Sequence, residues 1–115
     1  MVETKTVYVY YTNANGKLSG TFVLATVLDD CLAVAKQPID DFSCFERRWC
    51  VYDVLSGLQI NENPFNKKSS AMAFAKAVLD IVPFDLVLRG ENDVPILDNS
   101  QRGMIRIAEQ AAHKN

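Results

Sequence analysis

The chain contains no Cys-x-x-Cys spacing and a single histidine, His113, which lies near the end of its 115 residues. Its cysteines, Cys31, Cys44 and Cys50, are odd in number. Zinc sites need several Cys, His or carboxylate ligands at short, defined spacings. The sequence therefore predicts no metal and no other cofactor. Unpaired cysteines in a reducing cytoplasm, the expected compartment, usually behave as small buried hydrophobic residues.

Signatures of catalysis are also absent. Neither a P-loop nor a Gly-x-Gly-x-x-Gly motif occurs, and His113 supplies the only imidazole that could activate a nucleophile. Two pairs of adjacent carboxylates occur, Asp29 with Asp30 and Asp40 with Asp41. Adjacent residues do not face one another on a helix or a strand, so neither pair is suited to acid/base chemistry. We therefore predict that the protein is not an enzyme.

No charge of one sign dominates, because 12 Lys and Arg residues stand against 14 Asp and Glu residues and neither half of the chain is a basic arm. Sequence-independent binding to duplex DNA is disfavoured, since it requires a basic face that neutralises many phosphates. No run of residues approaches the ~18 apolar residues of a membrane span, and no secretory signal is visible. We expect no membrane partner.

The composition that remains is that of a folded protein, with 49% hydrophobic and 23% charged residues. At this length, residues 1–115 are expected to form a single domain. Residues 6–12 are β-branched and aromatic, and the Asn-Ala-Asn-Gly segment after them favours a hairpin with a return strand over 18–25. Thr26, with Asp29 three residues later, favours a helix start. The predicted helix carries an apolar stripe of Leu28, Cys31, Leu32 and Ala35.

The second half of the sequence predicts further strands and helices. A hairpin over 47–54 and 58–61 turns near Gly57, which adopts a left-handed conformation without a steric clash. Strands are expected over 84–89 and 94–97, and Pro95 places the latter at a sheet edge. Two helical stripes complete the pattern. They are Ala71, Phe74, Ala75, Val78 and Val82 in a helix that starts near Asn66 or Lys67 and stops at Pro83, and Met104, Ile107, Ala108 and Ala111 in a last helix capped by Asn99 or Ser100.

The predicted order of elements is β-β-α-β-β-α-β-β-α. This order is typical of an α+β fold with a largely antiparallel sheet and helices on one sheet face.

One pattern of residues extends over 49–100. It comprises Trp49 and Val51 in a strand, then Phe65, Lys68 and Ala71 at a helix start, then Leu86, Val87, Gly90, Asp93 and Ile96. The pattern resembles a small bacterial domain family of uncharacterised function with a β-β-α-β-β plan. The chain departs from it at Lys67, where the family has a capping Thr, and at Val94, where it has a Gly. The resemblance covers under half of the chain and implies a fold, but it identifies no catalytic residue.

Aromatic and cationic side chains form the candidate binding surface. Tyr8 and Tyr10 lie on one face of the first strand and Tyr11 on the other, so one set is expected to meet the helices. The other set either packs under a connection or a partner chain, or forms an exposed surface. Rings flanked by cations also stack unpaired bases, at about 1 to 3 kcal/mol per base. The candidate binding residues are Tyr8, Tyr10, Tyr11, Arg47, Arg48, Trp49, Lys67 and Lys68.

These observations favour a non-enzymatic protein that acts by binding another protein. We predict an accessory or inhibitory protein of the kind that bacteria, phages and plasmids encode in small genes, with homodimerisation through a Tyr-rich edge or face as a variant. The alternative is a single-stranded nucleic-acid-binding protein that uses the aromatic, Arg and Lys side chains.

Overall fold

The computed structural model describes residues 2–13, 15–38 and 48–114. The strands within them form one antiparallel sheet in the order β1-β2-β3-β4. This confirms an α+β fold with an antiparallel sheet, whereas the predicted order with three helices is wrong. The elements are β1 (Val2–Thr12), β2 (Leu18–Leu28), β3 (Leu32–Lys36), β4 (Trp49–Asp53), α1 (Lys68–Ile81), a short 3₁₀ turn (Glu91–Asp93) and α2 (Asn99–His113).

The first hairpin forms where the sequence predicts it. β1 and β2 pair over their whole length. In the connecting turn, the Asn13 side-chain oxygen accepts hydrogen bonds from the main-chain N–H groups of Asn15 and Lys17, each at 3.0 Å, and Gly16 adopts a φ of 78°. Asn and Gly favour turns for these two reasons, side-chain bonding to nearby main chain and tolerance of positive φ.

The helix predicted after Thr26 is wrong, because this segment is a second hairpin between β2 and β3. Asp29 and Asp30 have φ values of 51° and 59°, and the Cys31 N–H donates to the Leu28 carbonyl at 3.0 Å. Positive φ at two successive turn residues is typical of tight hairpin turns, and Asp tolerates it better than most residues; the register pairs Leu28 with Leu32, so Cys31 also lies in the connection. Because β3 is buried on both faces, its apolar run lacks alternation and coincides with a helical stripe.

The sheet is strongly curled. Although β1 and β4 lie at opposite edges, the Tyr10 N–H of β1 donates to the carbonyl of Gly57, just after β4, at 2.9 Å. Val9 of β1 and Tyr52 of β4 are buried in one cluster inside the curl. Gly57 has the predicted left-handed conformation, with φ 74°, and a Cβ there would lie 2.9 Å from the Tyr8 carbonyl oxygen. Glycine is therefore required where the curl closes.

The return strand predicted at 58–61 is replaced by an irregular segment beside β4. The Asp53 N–H donates to the Leu58 carbonyl at 2.9 Å, and the Ile60 N–H donates to the Val51 carbonyl at 2.8 Å. The Val51 N–H donates instead to a side-chain atom, Oδ1 of Asn61, at 2.9 Å. A side chain in the place of a main-chain carbonyl interrupts the ladder, so β4 is covered without a fifth strand.

The first predicted helical stripe is confirmed in α1. The helix packs on β3 and β4, on the face opposite the interior of the curl. It begins at Lys68, within two residues of the predicted start, and its N-cap is the extended Lys67 without a side-chain capping bond. Four residues of the stripe lie in α1 and the fifth, Val82, is its extended C-cap. All five are fully buried: Ala71, Phe74, Ala75, Val78 and Val82.

The final helix has a different cap from the predicted one. The Asp98 carboxylate accepts the Gln101 N–H at 2.7 Å, and Oε1 of Gln101 accepts the Asp98 N–H at 3.1 Å. This reciprocal pair is a capping box, which satisfies two N–H groups that a helix start leaves open. Asn99 and Ser100 are consequently the first helical residues and not the cap.

α2 also turns a different face to the core. Ile105 and Ala112 are buried, whereas Met104 and Ile107 of the predicted stripe are 49% and 67% exposed. The helix carries two apolar stripes side by side, and its packing against α1 decides which one is buried.

The strands predicted over 84–89 and 94–97 are reduced to a single bridge between Arg89 and Pro95. The chain turns directly after α1, where the Leu86 N–H donates to the Pro83 carbonyl at 2.8 Å. Pro95 has no N–H with which to continue the ladder. The resulting loop packs Val87 against the core.

Candidate functional site

The outer face of the β1–β2 hairpin is apolar and exposed. Side chains alternate along a strand, and the register pairs Tyr8 with Phe22, so the even-numbered residues of both strands share this face. Tyr8 is 43% exposed, Leu18 65%, Phe22 69% and Leu24 70%. We call these four residues the hairpin patch. α1 packs on β3 and β4 and leaves the patch uncovered.

The aromatic rings of this face are held in defined orientations. The Tyr8 ring meets the Phe22 ring edge to face at a centroid distance of 4.9 Å, and it meets the Tyr10 ring in the same way at 5.5 Å. The Tyr8 ring also lies over Gly20, where a Cβ would collide with it. Such edge-to-face pairs stabilise one arrangement of the rings. The patch is therefore ordered before any partner arrives.

A groove of about 880 Å³ lies beside the patch. Tyr8, Tyr10 and Leu18 line one side of it, and the turns at 54–58 and 92–94 line the other. Its volume falls within the range in which proteins hold small ligands or the side chains of a partner.

A buried carboxylate joins the two turns that line the groove. Asp53 is 1% exposed. Its Oδ2 accepts hydrogen bonds from the Ser56 hydroxyl at 2.6 Å and from Nη1 of Arg89 at 2.7 Å, while Oδ1 accepts from Nη2 at 3.2 Å. Nη1 of Arg89 also donates to the Asp93 carbonyl at 2.7 Å. One Asp–Arg pair thus sets the relative position of both turns.

Trp49 belongs to a separate, cationic cluster. Nζ of Lys36 and Nζ of Lys68 each lie 5.6 Å from the centroid of its ring, within the range of a cation–π interaction. The ring is half-buried, and Arg48 and Lys67 are exposed. The indole is therefore already in contact with two ammonium groups.

The predicted binding residues do not form one site. Tyr8 and Tyr10 share the hairpin face, whereas Tyr11 points to its opposite side. Trp49 contacts Lys36 and Lys68 instead of the tyrosines. Arg47 lies outside the described residues.

Sequence reasoning missed the residues of the patch that β2 contributes. Phe22 and Leu24 lie opposite Tyr8 and Thr6 in the register of the hairpin. Alternation along β2 places them on one face, but their exposure depends on where α1 packs.

The cysteine thiols of the described residues are in environments that disfavour the thiolate. Burial raises the pKa of Cys50 to about 11. Burial, and then the carboxylate of Asp85, raises the pKa of Cys31. Thiols of this kind are poor nucleophiles at neutral pH. Cys44 lies outside the described residues, which contain no group of three or more His, Cys, Asp or Glu residues able to hold a metal ion.

Glu109 connects α2 to the loop that follows β4. Its carboxylate accepts the main-chain N–H groups of Glu62 at 2.6 Å and Asn63 at 3.1 Å. Nε2 of His113 lies 3.2 Å from the same carboxylate, and its ring stacks on Phe65 at a centroid distance of 4.2 Å. These contacts assign Glu109 and His113 a structural role.

The hydroxyl of Tyr52 lies in the interior of the curl beside the thiol of Cys50, a weak hydrogen-bonding group, and makes no hydrogen bond of good geometry in the described part of the chain. Burial, and then the neighbouring Cys50, raises the pKa of Tyr52. A buried hydroxyl without a partner opposes folding.

We expect Tyr52→Phe to raise the free energy of unfolding by about 1 kcal/mol in urea denaturation. Tyr8→Phe, at an exposed ring, is the control and should change it little. A clear loss of stability in Tyr52→Phe would contradict the unpaired hydroxyl.

None of the helices in the described residues combines the length and the apolar character needed to cross a bilayer.

Comparison with known proteins identifies no relative: no protein-family model, no curated protein and no solved structure matches this chain. The resemblance of residues 49–100 to an uncharacterised bacterial family therefore stays a prediction.

Proposed function

We propose that this chain is a protein-binding module, a cytoplasmic accessory or inhibitory protein without catalytic activity, and that the hairpin patch is its contact surface. The exposure of Tyr8, Leu18, Phe22 and Leu24 on one side of one hairpin carries this proposal. Single exposed apolar residues are ordinary on protein surfaces, whereas contiguous apolar patches mark sites of interaction.

The chemistry of the patch suits a protein partner. Covering a side chain such as Phe22 or Leu24 contributes roughly 1.5 to 3 kcal/mol. Aromatic residues lose little conformational entropy on binding when they are already held in place, as the Tyr8 ring is by Phe22 and Gly20. A partner with an apolar side chain or segment could place it in the neighbouring groove, next to Tyr10 and Leu18.

The proposal predicts that charges in the patch abolish partner binding without unfolding the chain. The test variant is Phe22→Asp with Leu24→Asp, and the matched control is Leu86→Asp with Leu88→Asp, where both leucines are 77% exposed. Immobilised chains are incubated with an extract of the source cells, and the retained proteins are quantified by mass spectrometry. We expect one protein to be retained in equal amounts by the unsubstituted chain and the control and to be lost, at least about 100-fold, with the patch variant.

A photo-crosslinking amino acid at position 22 should then join that same protein covalently, and circular dichroism should show that both variants stay folded. The proposal is wrong if no retained protein distinguishes the patch variant from the control.

The alternative, single-stranded nucleic-acid binding, is favoured by one observation: Lys36 and Lys68 gather at the Trp49 ring, with Arg48 and Lys67 exposed nearby in the sequence. Titration with oligothymidylate at low salt should then quench Trp49 fluorescence, since counterion release makes low salt the most favourable condition. Lys68→Ala should weaken the quenching and Lys114→Ala should not. Constant fluorescence at low salt would eliminate this alternative.

A further inference from the structure

The outer edge of β1 is open over its first half. The Tyr10 N–H points away from β2 to Gly57, whereas the Asn13 N–H bonds back to the Lys17 carbonyl. Alternate residues of an antiparallel strand direct their N–H and C=O groups to opposite sides. The main-chain N–H and C=O groups of the even-numbered residues of β1 therefore point to the open edge, while their side chains lie on the outer face of the sheet. Within the described residues, no main-chain hydrogen bond reaches this edge at Val2, Thr4 or Thr6.

We propose that a second copy of this chain occupies this edge, with its β1 antiparallel to the first about a two-fold axis at Thr4. Thr4 then lies opposite Thr4 of the second copy, and Val2 lies opposite Thr6. All three residues direct their main-chain groups to the edge, so each pair exchanges two hydrogen bonds. The groove beside Lys5, Thr6 and Tyr8 leaves space along part of this edge.

Charge selects this register. Glu3 and Lys5 are the charged residues of β1, and their side chains are 51% and 41% exposed. About an axis at Thr4, each Glu3 faces Lys5 of the other copy, in the pairs without main-chain hydrogen bonds, where side chains approach most closely. Moving the axis by one residue places Glu3 opposite Glu3, or Lys5 opposite Lys5. Like charges directly opposite each other are unfavourable.

The edge already contains the beginning of this charge network. Nζ of Lys5 lies 3.2 Å from Oε1 of Glu3 and 3.2 Å from Oδ1 of Asp30 within the same chain. In the dimer, each ammonium group also meets the carboxylate of the other copy. The contacts are exposed, so pairing should weaken as salt screens them.

The inference concerns the edge of β1 and does not depend on the proposed function of the hairpin face. A two-fold axis through the edge of a sheet stands perpendicular to that sheet, so both hairpin patches lie on the same side of the joined sheets. Dimerisation would therefore present two copies of the patch to one partner surface.

The test is sedimentation equilibrium of single charge reversals. Glu3→Lys and Lys5→Glu each place like charges opposite one another twice, and each should raise the dimer dissociation constant about 30-fold. An equimolar mixture of the two variants should dimerise again, because every Lys then faces a Glu. Lys17→Glu, a reversal in the exposed turn of the hairpin, is the matched control and should leave the dissociation constant unchanged.

A cysteine at the axis provides a second readout. The Cα atoms of a hydrogen-bonded pair lie about 5.5 Å apart, within disulfide range. Thr4→Cys should therefore form a covalent dimer under mild oxidation much faster than Thr12→Cys at the other end of β1.

Three results would overturn the inference: a monomer at millimolar chain concentration, a dimer indifferent to both charge reversals, or mixed variants that stay monomeric. The variant Phe22→Asp with Leu24→Asp separates this inference from the proposed function, since it should still dimerise. If that variant is monomeric while both charge reversals dimerise, the copies meet through the hairpin patch instead.

Discussion

Arg89→Met is expected to lower the free energy of unfolding by about 3 to 5 kcal/mol. The substitution keeps most of the side-chain volume but removes the cation from a carboxylate that is 1% exposed. Asp53 would keep its bond from the Ser56 hydroxyl and lose both bonds from the guanidinium. A buried charge without its partner is far more costly than the intact pair is stabilising. Urea denaturation followed by Trp49 fluorescence measures the loss.

The control for this prediction is Arg102→Met, which removes an exposed guanidinium and should change the free energy of unfolding by less than about 0.5 kcal/mol. Asp53→Asn tests the same contact from the other side. Because the two residues contact each other, the double variant should lose less stability than the sum of the single variants. A loss below about 1 kcal/mol in Arg89→Met would show that water replaces the guanidinium, and the pair would then not hold the groove turns together.

Glu109→Ala should cost about 3 kcal/mol of unfolding free energy, because hydrogen bonds to a charged acceptor contribute about 1.5 to 3 kcal/mol each. The N–H groups of Glu62 and Asn63 both lose their acceptor. His113 loses its carboxylate partner at the end of α2. The loop after β4 and the last helix should therefore loosen together, with faster amide hydrogen exchange in both.

Glu109→Gln should lose less stability, since its amide oxygen still accepts one of the two main-chain bonds. The matched control is Glu62→Gln, whose exposed carboxylate lies 3.9 Å from Arg106 and should contribute little. Equal effects of Glu109→Ala and Glu62→Gln would contradict the assigned role of Glu109.

The first hairpin and α1 could be predicted because their signals are local. The turn of the hairpin depends on Asn13 and Gly16, which bond and bend within a few residues of each other. The α1 stripe is broad and is followed by Pro83, which cannot continue a helix. Gly57 was predictable in the same way, from its tolerance of positive φ.

The Asp29–Asp30 turn and the buried face of α2 could not be predicted, because in each case the local sequence is compatible with two different structures. Asp residues stabilise both a helix start and a left-handed turn, and the pairing of β2 with β3 favours the turn. Met104 and Ile105 are adjacent apolar residues of one helix, and only contact with α1 determines that Ile105 is buried.

The candidate site was predictable in part. Alternation along β1 places Tyr8 and Tyr10 together on one face, and the structure agrees. Alternation could not reveal that Trp49 contacts Lys36 and Lys68, which come from other parts of the sequence, instead of joining the tyrosines. Nor could it reveal that Phe22 stays exposed.

The amino-acid sequence by itself determined the Asn13–Gly16 turn, the left-handed conformation of Gly57, the alternation of side chains in the first hairpin and the helix that ends before Pro83, because these depend on bonds and sterics between neighbours. Tertiary structure alone decided the curl of the sheet, the buried face of α2 and the exposure of the hairpin patch. The physical reason is the reach of the contacts involved. Arg89 binds Asp53 across 36 residues, and Glu109 binds Glu62 across 47. Such contacts form only when elements that are distant in sequence meet, and no local sequence pattern indicates which of two available faces those elements will bury.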